Sequence, residues 1–180
     1  MKRVFKQGPP ELWALREELR AGQVHWPTKS VVLVDIDGTL SNPQHRLWMV
    51  NGGGKKNWDG FFAACDRDPP VEAVVRWTRA LAEDHTVVLV SGRPIDKAGA
   101  KTLAWLERFR VPFYKIYLRQ GGDRRPDTEV KQEILNDMLR TLPKECIGFA
   151  IDDRLSVVEQ VWRKNGIRVF PVRVGEEDFL

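Results

Sequence analysis

An α/β fold of the doubly wound class, a parallel sheet with helices on both faces, is what this sequence predicts. Two patterns predict it. Short continuous apolar runs alternate with helical patterns from residue 31 to the end, and such runs belong to parallel strands buried on both faces. Polar residues also gather at the carboxyl ends of those runs, where open α/β sheets hold their ligands.

The elements follow in order. Pro9-Pro10-Glu11 opens a helical pattern through Leu12, Leu15 and Leu19 that stops at Gly22, so residues 1–29 read as a helical extension. Val31-Val32-Leu33-Val34 is the first strand, and Asp35-Ile36-Asp37-Gly38-Thr39 follows at once. Residues 41–69 show no long period, contain Gly52-Gly53-Gly54 and end at Pro69-Pro70, with room for a short helix around Trp58–Cys65. The stretch is too long for an ordinary connection and reads as a functional loop or small cap. A helix fits 71–84, and Thr86–Val90 is a second strand ending at Ser91-Gly92-Arg93-Pro94. Next come a helix over 95–110, a strand over 112–118, a helix over 128–142 and a strand over 145–151 that ends at Asp152-Asp153. A helix over 155–165 stops at Gly166, and 167–172 is a fifth strand.

Composition narrows the function classes. The 180 residues, 42% apolar and 30% charged, are expected to form one domain over 1–180, which excludes disordered, collagenous and coiled-coil chains. No apolar run approaches the ~18 residues of a membrane helix, and the N-terminus has no apolar signal segment. Cys65 and Cys146 make no disulfide framework and read as reduced, buried thiols, so a cytoplasmic protein is expected. The net charge is +4, and 18 of the 29 cations are Arg, whose planar forks suit phosphate. That balance tolerates an anionic partner without proving one.

The strand ends carry the chemistry. Asp35 and Asp37, Ser91 and Arg93, and Asp152 and Asp153 end three strands, and Lys131 lies in the first turn of the helix that follows another. Four carboxylates in one cleft raise one another's pKa and need a cation to stay ionised. Oxygen-only donors with no His or Cys nearby point to Mg²⁺, so Asp35, Asp37, Asp152 and Asp153 are the candidate ligands. Lys131 and Ser91 offer the donors that a phosphoryl group needs. On an extended chain residues i and i+2 share a side. Asp35 is then a candidate nucleophile and Asp37 a candidate acid and base, with Gly38 permitting the turn and Thr39 orienting an oxygen.

DIDGT followed in order by Ser91, Lys131 and Asp152-Asp153 resembles the haloacid dehalogenase superfamily over residues 31 to about 179. The resemblance implies a Mg²⁺-dependent phosphatase working through an aspartyl phosphate. Asp35 would be the nucleophile, Asp37 the acid/base, Ser91 and Lys131 the holders of the phosphoryl oxygens, and the late acidic pair part of the metal site. Within that superfamily, SGRP, LRQGGDRRPDTEVKQEIL and AIDDRLSVVEQVWRKNGI look like the 3′-phosphatase domain of phage polynucleotide kinase-phosphatases. The likeness is weak over 41–69. It implies nucleic-acid 3′-phosphate ends as substrate, met by Thr39, Gly92, Arg93, Arg125 and Asp127, in nucleic-acid repair. GGGKKN at 52–57 lacks the spacing of a P-loop and follows no strand, so any kinase or ligase partner would be a separate chain. A small-molecule nucleotide phosphatase is the alternative, and a receiver-like phospho-switch the non-enzymatic one. Asp37 argues against the switch, since a receiver lacks an acid two residues beyond its phospho-acceptor.

Aromatic residues divide by position. Trp13, Trp77, Trp105 and Trp162 fit helical core faces, whereas Trp48 and Trp58 fall in the irregular stretch, where stacking on a base competes with packing. His45 lies near the nucleophile loop and is a further candidate for substrate contact.

Overall fold

The structure, a computed structural model, describes residues 29–51 and 53–173. The helical extension expected over residues 1–29 lies outside the described residues, Lys29 excepted. Among the described residues, five strands form one parallel sheet: β1 Val31–Val34, β2 Thr86–Pro94, β3 Lys115–Arg119, β4 Ile147–Asp152 and β5 Val169–Pro171. Their order is β3-β2-β1-β4-β5. The order reverses at β1, which makes the C-terminal edge between β1 and β4 the crevice of a doubly wound sheet.

Alternation along the strands sorts the core into two layers. Val31 and Leu33 of β1 with Val88 and Val90 of β2 pack on Val130, Ile134, Leu135 and Met138 of one helix, and on Val157, Val161 and Trp162. Val32 and Val34 with Val87 and Leu89 face the other way, onto Val74, Val75, Trp105 and Leu106. The helices that supply these faces are α3 Glu72–Asp84, α4 Ile95–Arg108 and α5 Asp127–Leu139, followed by α6 Leu155–Val157, which widens into a π-type turn over Val158–Arg163. Trp105 and Trp162 are buried as expected, but Trp77 is 37% exposed, because it lies over Phe149 and Phe170 near edge strand β5. Cys65 is buried and Cys146 is exposed.

The described residues of 41–69 form two short helices, α1 Gln44–Asn51 and α2 Trp58–Ala63, and a 3₁₀ turn over Cys65–Arg67. The Asn42 side chain accepts from the Gln44 N–H, and the Asn57 side chain accepts from the Gly60 N–H, each meeting an orphan donor at a helix start. α1 has only two buried residues, Arg46 and Val50, so its apolar period is too thin to read from sequence.

Asp68, 1% exposed, fastens this stretch to the sheet. Its Oδ1 accepts from Arg46 Nε at 2.7 Å and from His45 Nε2 at 2.8 Å. Its Oδ2 accepts from Arg46 Nη2 (2.6 Å), Arg93 Nη2 (2.9 Å) and Ser41 Oγ (3.0 Å). Its backbone carbonyl accepts from the Trp105 indole at 2.7 Å. Removing one member of a buried ion pair strands the other charge in low dielectric, at about 3–5 kcal/mol. Asp68→Ala is therefore expected to lower the urea unfolding free energy by about that amount, and a loss below about 1 kcal/mol would contradict this role for Asp68.

Candidate active site

The site grows from the end of β1. The Asp35 N–H donates to the Ile151 carbonyl at 2.9 Å, which sets Asp35 beside Asp152 at the end of β4. Carboxylate oxygens of Asp35, Asp152 and Asp153 lie within 4.8 Å of one another. Lys131, from the first turns of α5 and 1% exposed, bridges two of them, with Nζ 2.7 Å from Asp35 Oδ1 and 2.8 Å from Asp152 Oδ2. Asp127 Oδ2 lies 3.6 Å from the same ammonium.

One lysine does not balance this much buried negative charge. Burial, with the neighbouring Asp152 and Asp153 charges, lifts the Asp35 pKa well above the carboxylate range, although Lys131 pulls the other way. Burial and Asp152 push Asp153 up to about 7. Lys131 is held protonated: burial alone would lower its pKa, but Asp152 and Asp35 outweigh that and raise it. The surplus charge and the all-oxygen donor set suit a hard divalent cation. Within that set Asp152 is the most committed. Its Oδ2 also accepts from the Trp162 indole at 2.9 Å, and its Oδ1 from the Arg154 N–H at 3.1 Å. Asp153 is engaged only lightly, by Thr39 Oγ1 at 3.4 Å, and lines the cavity.

Asp37, expected among the metal ligands, lies outside this trio. Its Oδ1 accepts from Arg46 Nη2 (2.6 Å), Arg93 Nη2 (2.5 Å) and Nε (3.0 Å), and Ser41 Oγ (3.3 Å). Burial would raise its pKa, but the Arg93 and Arg46 guanidiniums outweigh that and hold it below the usual carboxylate range. Arg93 also takes a different place from the one expected. It is fully buried, bonded to Asp37, Asp68, Ser41 and Thr102, and is absent from the cavity wall. Asp37, Asp68 and the two guanidiniums thus make a nearly neutral cluster, with Asp37 its cavity-facing corner.

Two glycines let these parts approach. Gly38 has φ +86°, and a Cβ there would sit 2.0 Å from Asp153 Oδ2. A Cβ on Gly92 would meet Asp127 Oδ1 at 2.1 Å. Ser91 and Gly92 sit where the β2–β3 register shifts, between Ser91 and Pro94, and such a bulge re-aims the strand end. Ser91 is itself buried, its Oγ accepting from the Arg93 N–H at 3.3 Å.

A cavity of about 1310 Å³ opens over the site. Asp35, Asp37, Gly92, Lys131 and Asp153 line one end, and residues of α1, α2 and the 119–127 loop line the rest. Arg119 braces that loop, donating to the Gly92 and Arg125 carbonyls at 2.8 and 2.6 Å and lying 3.3 Å from Asp127. Arg125 is half exposed and paired with Asp123 (2.7 Å) and Glu133 (2.5 Å). Sequence reading overlooked Arg46 and Asp68. The signal present was the Asn42-Pro43 helix start, which places Arg46 in the first turn of α1.

Acidic strand ends at the switch point of a doubly wound sheet, with a lysine between them and a short helical insertion above, define a haloacid dehalogenase-type phosphatase. The family model for the polynucleotide kinase PNKP phosphatase domain matches residues 29–179. The chain belongs to that family and is a phosphatase. It is 28% identical over 133 residues to the provisionally named bifunctional polynucleotide kinase/RNA ligase of Autographa californica nuclear polyhedrosis virus, covering 73% of this chain and 17% of that one. Its fold is similar to a chain of the Pnkp1/Rnl/Hen1 RNA repair complex, with TM-score 0.64 and 24% identity, covering 86% of this chain and 46% of that one. A haloacid dehalogenase-like hydrolase from Streptococcus pneumoniae superposes with TM-score 0.54 at 12% identity, covering 83% and 89%. The chain thus spans less than half the length of the first two. No described helix is long and apolar enough to cross a membrane.

Metal binding and protonation compete for the same oxygens. Because Asp153 in the metal-free fold keeps its proton to about pH 7, while an unfolded carboxyl loses it near 3.8, its contribution to stability declines as pH rises through that window. Mg²⁺ is expected to raise Tm more at about pH 7.5 than at about pH 5.5. An equal or larger rise at the lower pH would contradict the assignment of these carboxylates as ligands.

Proposed function

We propose that this chain is a Mg²⁺-dependent polynucleotide 3′-phosphatase that works through a phosphorylated Asp35. The observation that carries the reading is Asp35 at the floor of the cavity, 2.7 Å from Lys131 and grouped with Asp152 and Asp153. Asp35, Asp152 and Asp153 would hold the metal, which supplies charge neutralisation at the phosphoryl oxygens. Lys131, held protonated, balances the same charge from the protein side.

The carboxylate of Asp35 attacks phosphorus, and the bond from phosphorus to the strand's 3′ oxygen breaks. That oxygen takes a proton from Asp37. Asp37 then removes a proton from water, which attacks the aspartyl phosphate and frees Asp35. The contacts on Asp37 fall on Oδ1, so Oδ2 is the oxygen assigned to proton transfer. Its guanidinium partners favour the ionised form of Asp37, the form that the second, base-catalysed half uses. Carrying a proton requires its hold on Arg46 or Arg93 to relax first.

Several features support a polymer end over a free nucleotide. The cavity exceeds the roughly 300–1,000 Å³ of ordinary small-ligand pockets. Lys55, Lys56, Arg124 and Arg125 line it, as a backbone-tracking wall requires. The family and the baculoviral relative, in which a kinase and an RNA ligase are joined, support a role in nucleic-acid end healing with a kinase or ligase as partner. The expected result is Mg²⁺-dependent phosphate release from a 3′-phosphorylated oligonucleotide well above that from its 5′-phosphorylated twin or a free 3′-nucleotide. Asp35→Asn should lower it at least about a thousandfold with the fold intact. Better turnover of the free nucleotide would make this a small-molecule phosphatase, and near-normal turnover by the variant would remove Asp35 from the chemistry.

A further inference from the structure

Resting on the 3′-phosphatase reading, we infer that Trp58, backed by Phe62, is the platform on which the terminal base of the 3′-phosphorylated strand stacks.

Trp58 opens α2 and is 47% exposed, whereas Trp105 and Trp162 are at most 2% exposed. Exposure alone does not set it apart, since Trp77 is 37% exposed while packing on Phe149 and Phe170; Trp58 lines the cavity that also holds Asp35 and Asp153. Phe62 lies parallel to it, with centroids 5.9 Å apart and an interplanar angle of 22°. Phe61, itself buried, meets it edge-on at 5.7 Å. The indole is therefore braced from two directions, and α2 is fixed in turn. Lys97 bonds Asp59, and Lys101 bonds the Ala63 carbonyl, which ties α2 to α4. Asn57 caps the helix start. A stacking surface fixed beforehand spends little ordering entropy on binding.

Charge picks the occupant. Lys56 Nζ lies 5.9 Å from the Trp58 ring centroid, and Lys55 and Arg124 share the wall. An aromatic face beside cations matches a base joined to phosphates, the combination that single-strand binders use. Trp48 is more exposed still, at 71%, but it does not line the cavity and its indole donates to the His45 carbonyl. Position in the wall, not exposure alone, singles out Trp58. A strand entering over α2 would lay its last base on Trp58 while its 3′-phosphate reaches Asp35.

The test compares two 3′-phosphorylated oligonucleotides that differ only in the last nucleotide, one normal and one a tetrahydrofuran abasic analogue. Wild-type protein is expected to show a KM about tenfold higher for the abasic end, the order that one stacked base contributes. Trp58→Ala is expected to lose that discrimination, and Trp58→Phe to keep most of it. A wild-type KM for the abasic end within about twofold of normal overturns the platform, and so does full discrimination by Trp58→Ala. If Trp58→Ala folds poorly, Trp58→Leu takes its place, and full discrimination by that variant overturns the platform equally. Absence of phosphate release from both oligonucleotides is the distinct failure of the 3′-phosphatase reading and overturns the platform with it.

Discussion

Carboxylates crowded into a buried crevice are the constraint around which this molecule is built. Asp35, Asp37, Asp68, Asp127, Asp152 and Asp153 converge at the C-terminal edge of the sheet, and each needs compensation. The protein meets the need in two ways. Lys131 is driven between Asp35 and Asp152 from α5. Arg46 and Arg93 are shared between Asp37 and Asp68. The first arrangement leaves surplus negative charge that suits a divalent cation, and the second leaves almost none. Two aspartates two positions apart thus acquire opposite titration behaviour from their surroundings.

The insertion over residues 41–69 is bound into this charge plan. Arg46 comes from α1 and Asp68 from its far end, so folding the insertion completes the environment of Asp37. The insertion is a wall of the active site as well as a cover. Its outer part presents Trp58 and Phe62 to the cavity while its inner part clamps Asp37, the proposed acid/base. The proposed base platform and the surroundings of the proposed acid/base thus come from one small piece of chain.

Much of this was legible in the sequence because it is local. Val31-Val32-Leu33-Val34 and Thr86–Val90 are continuous apolar runs that only a doubly covered strand explains, and the alternation of strands and helices followed. Asp35, Lys131, Asp152 and Asp153 were visible because strand ends in such a sheet converge. What was hidden depends on distance. Arg46 lies 9 residues from Asp37 and 22 from Asp68, and Arg93 lies 56 from Asp37. No periodicity joins such positions, so Arg93 read as a rim residue for substrate and became a buried partner of Asp37. The length of β2 was underestimated because Ser91-Gly92-Arg93-Pro94 pairs with β3 through a bulge, which has no apolar signature.

The central claim is that Asp35 carries the phosphoryl group. It is tested most directly by acid-quenching turnover of an oligonucleotide with a radiolabelled 3′-phosphate, reducing with borohydride and locating the modified residue by mass spectrometry. The account predicts labelled protein before reduction and homoserine at position 35 after it. Turnover with no labelled protein, or with the modification at another residue, would contradict it.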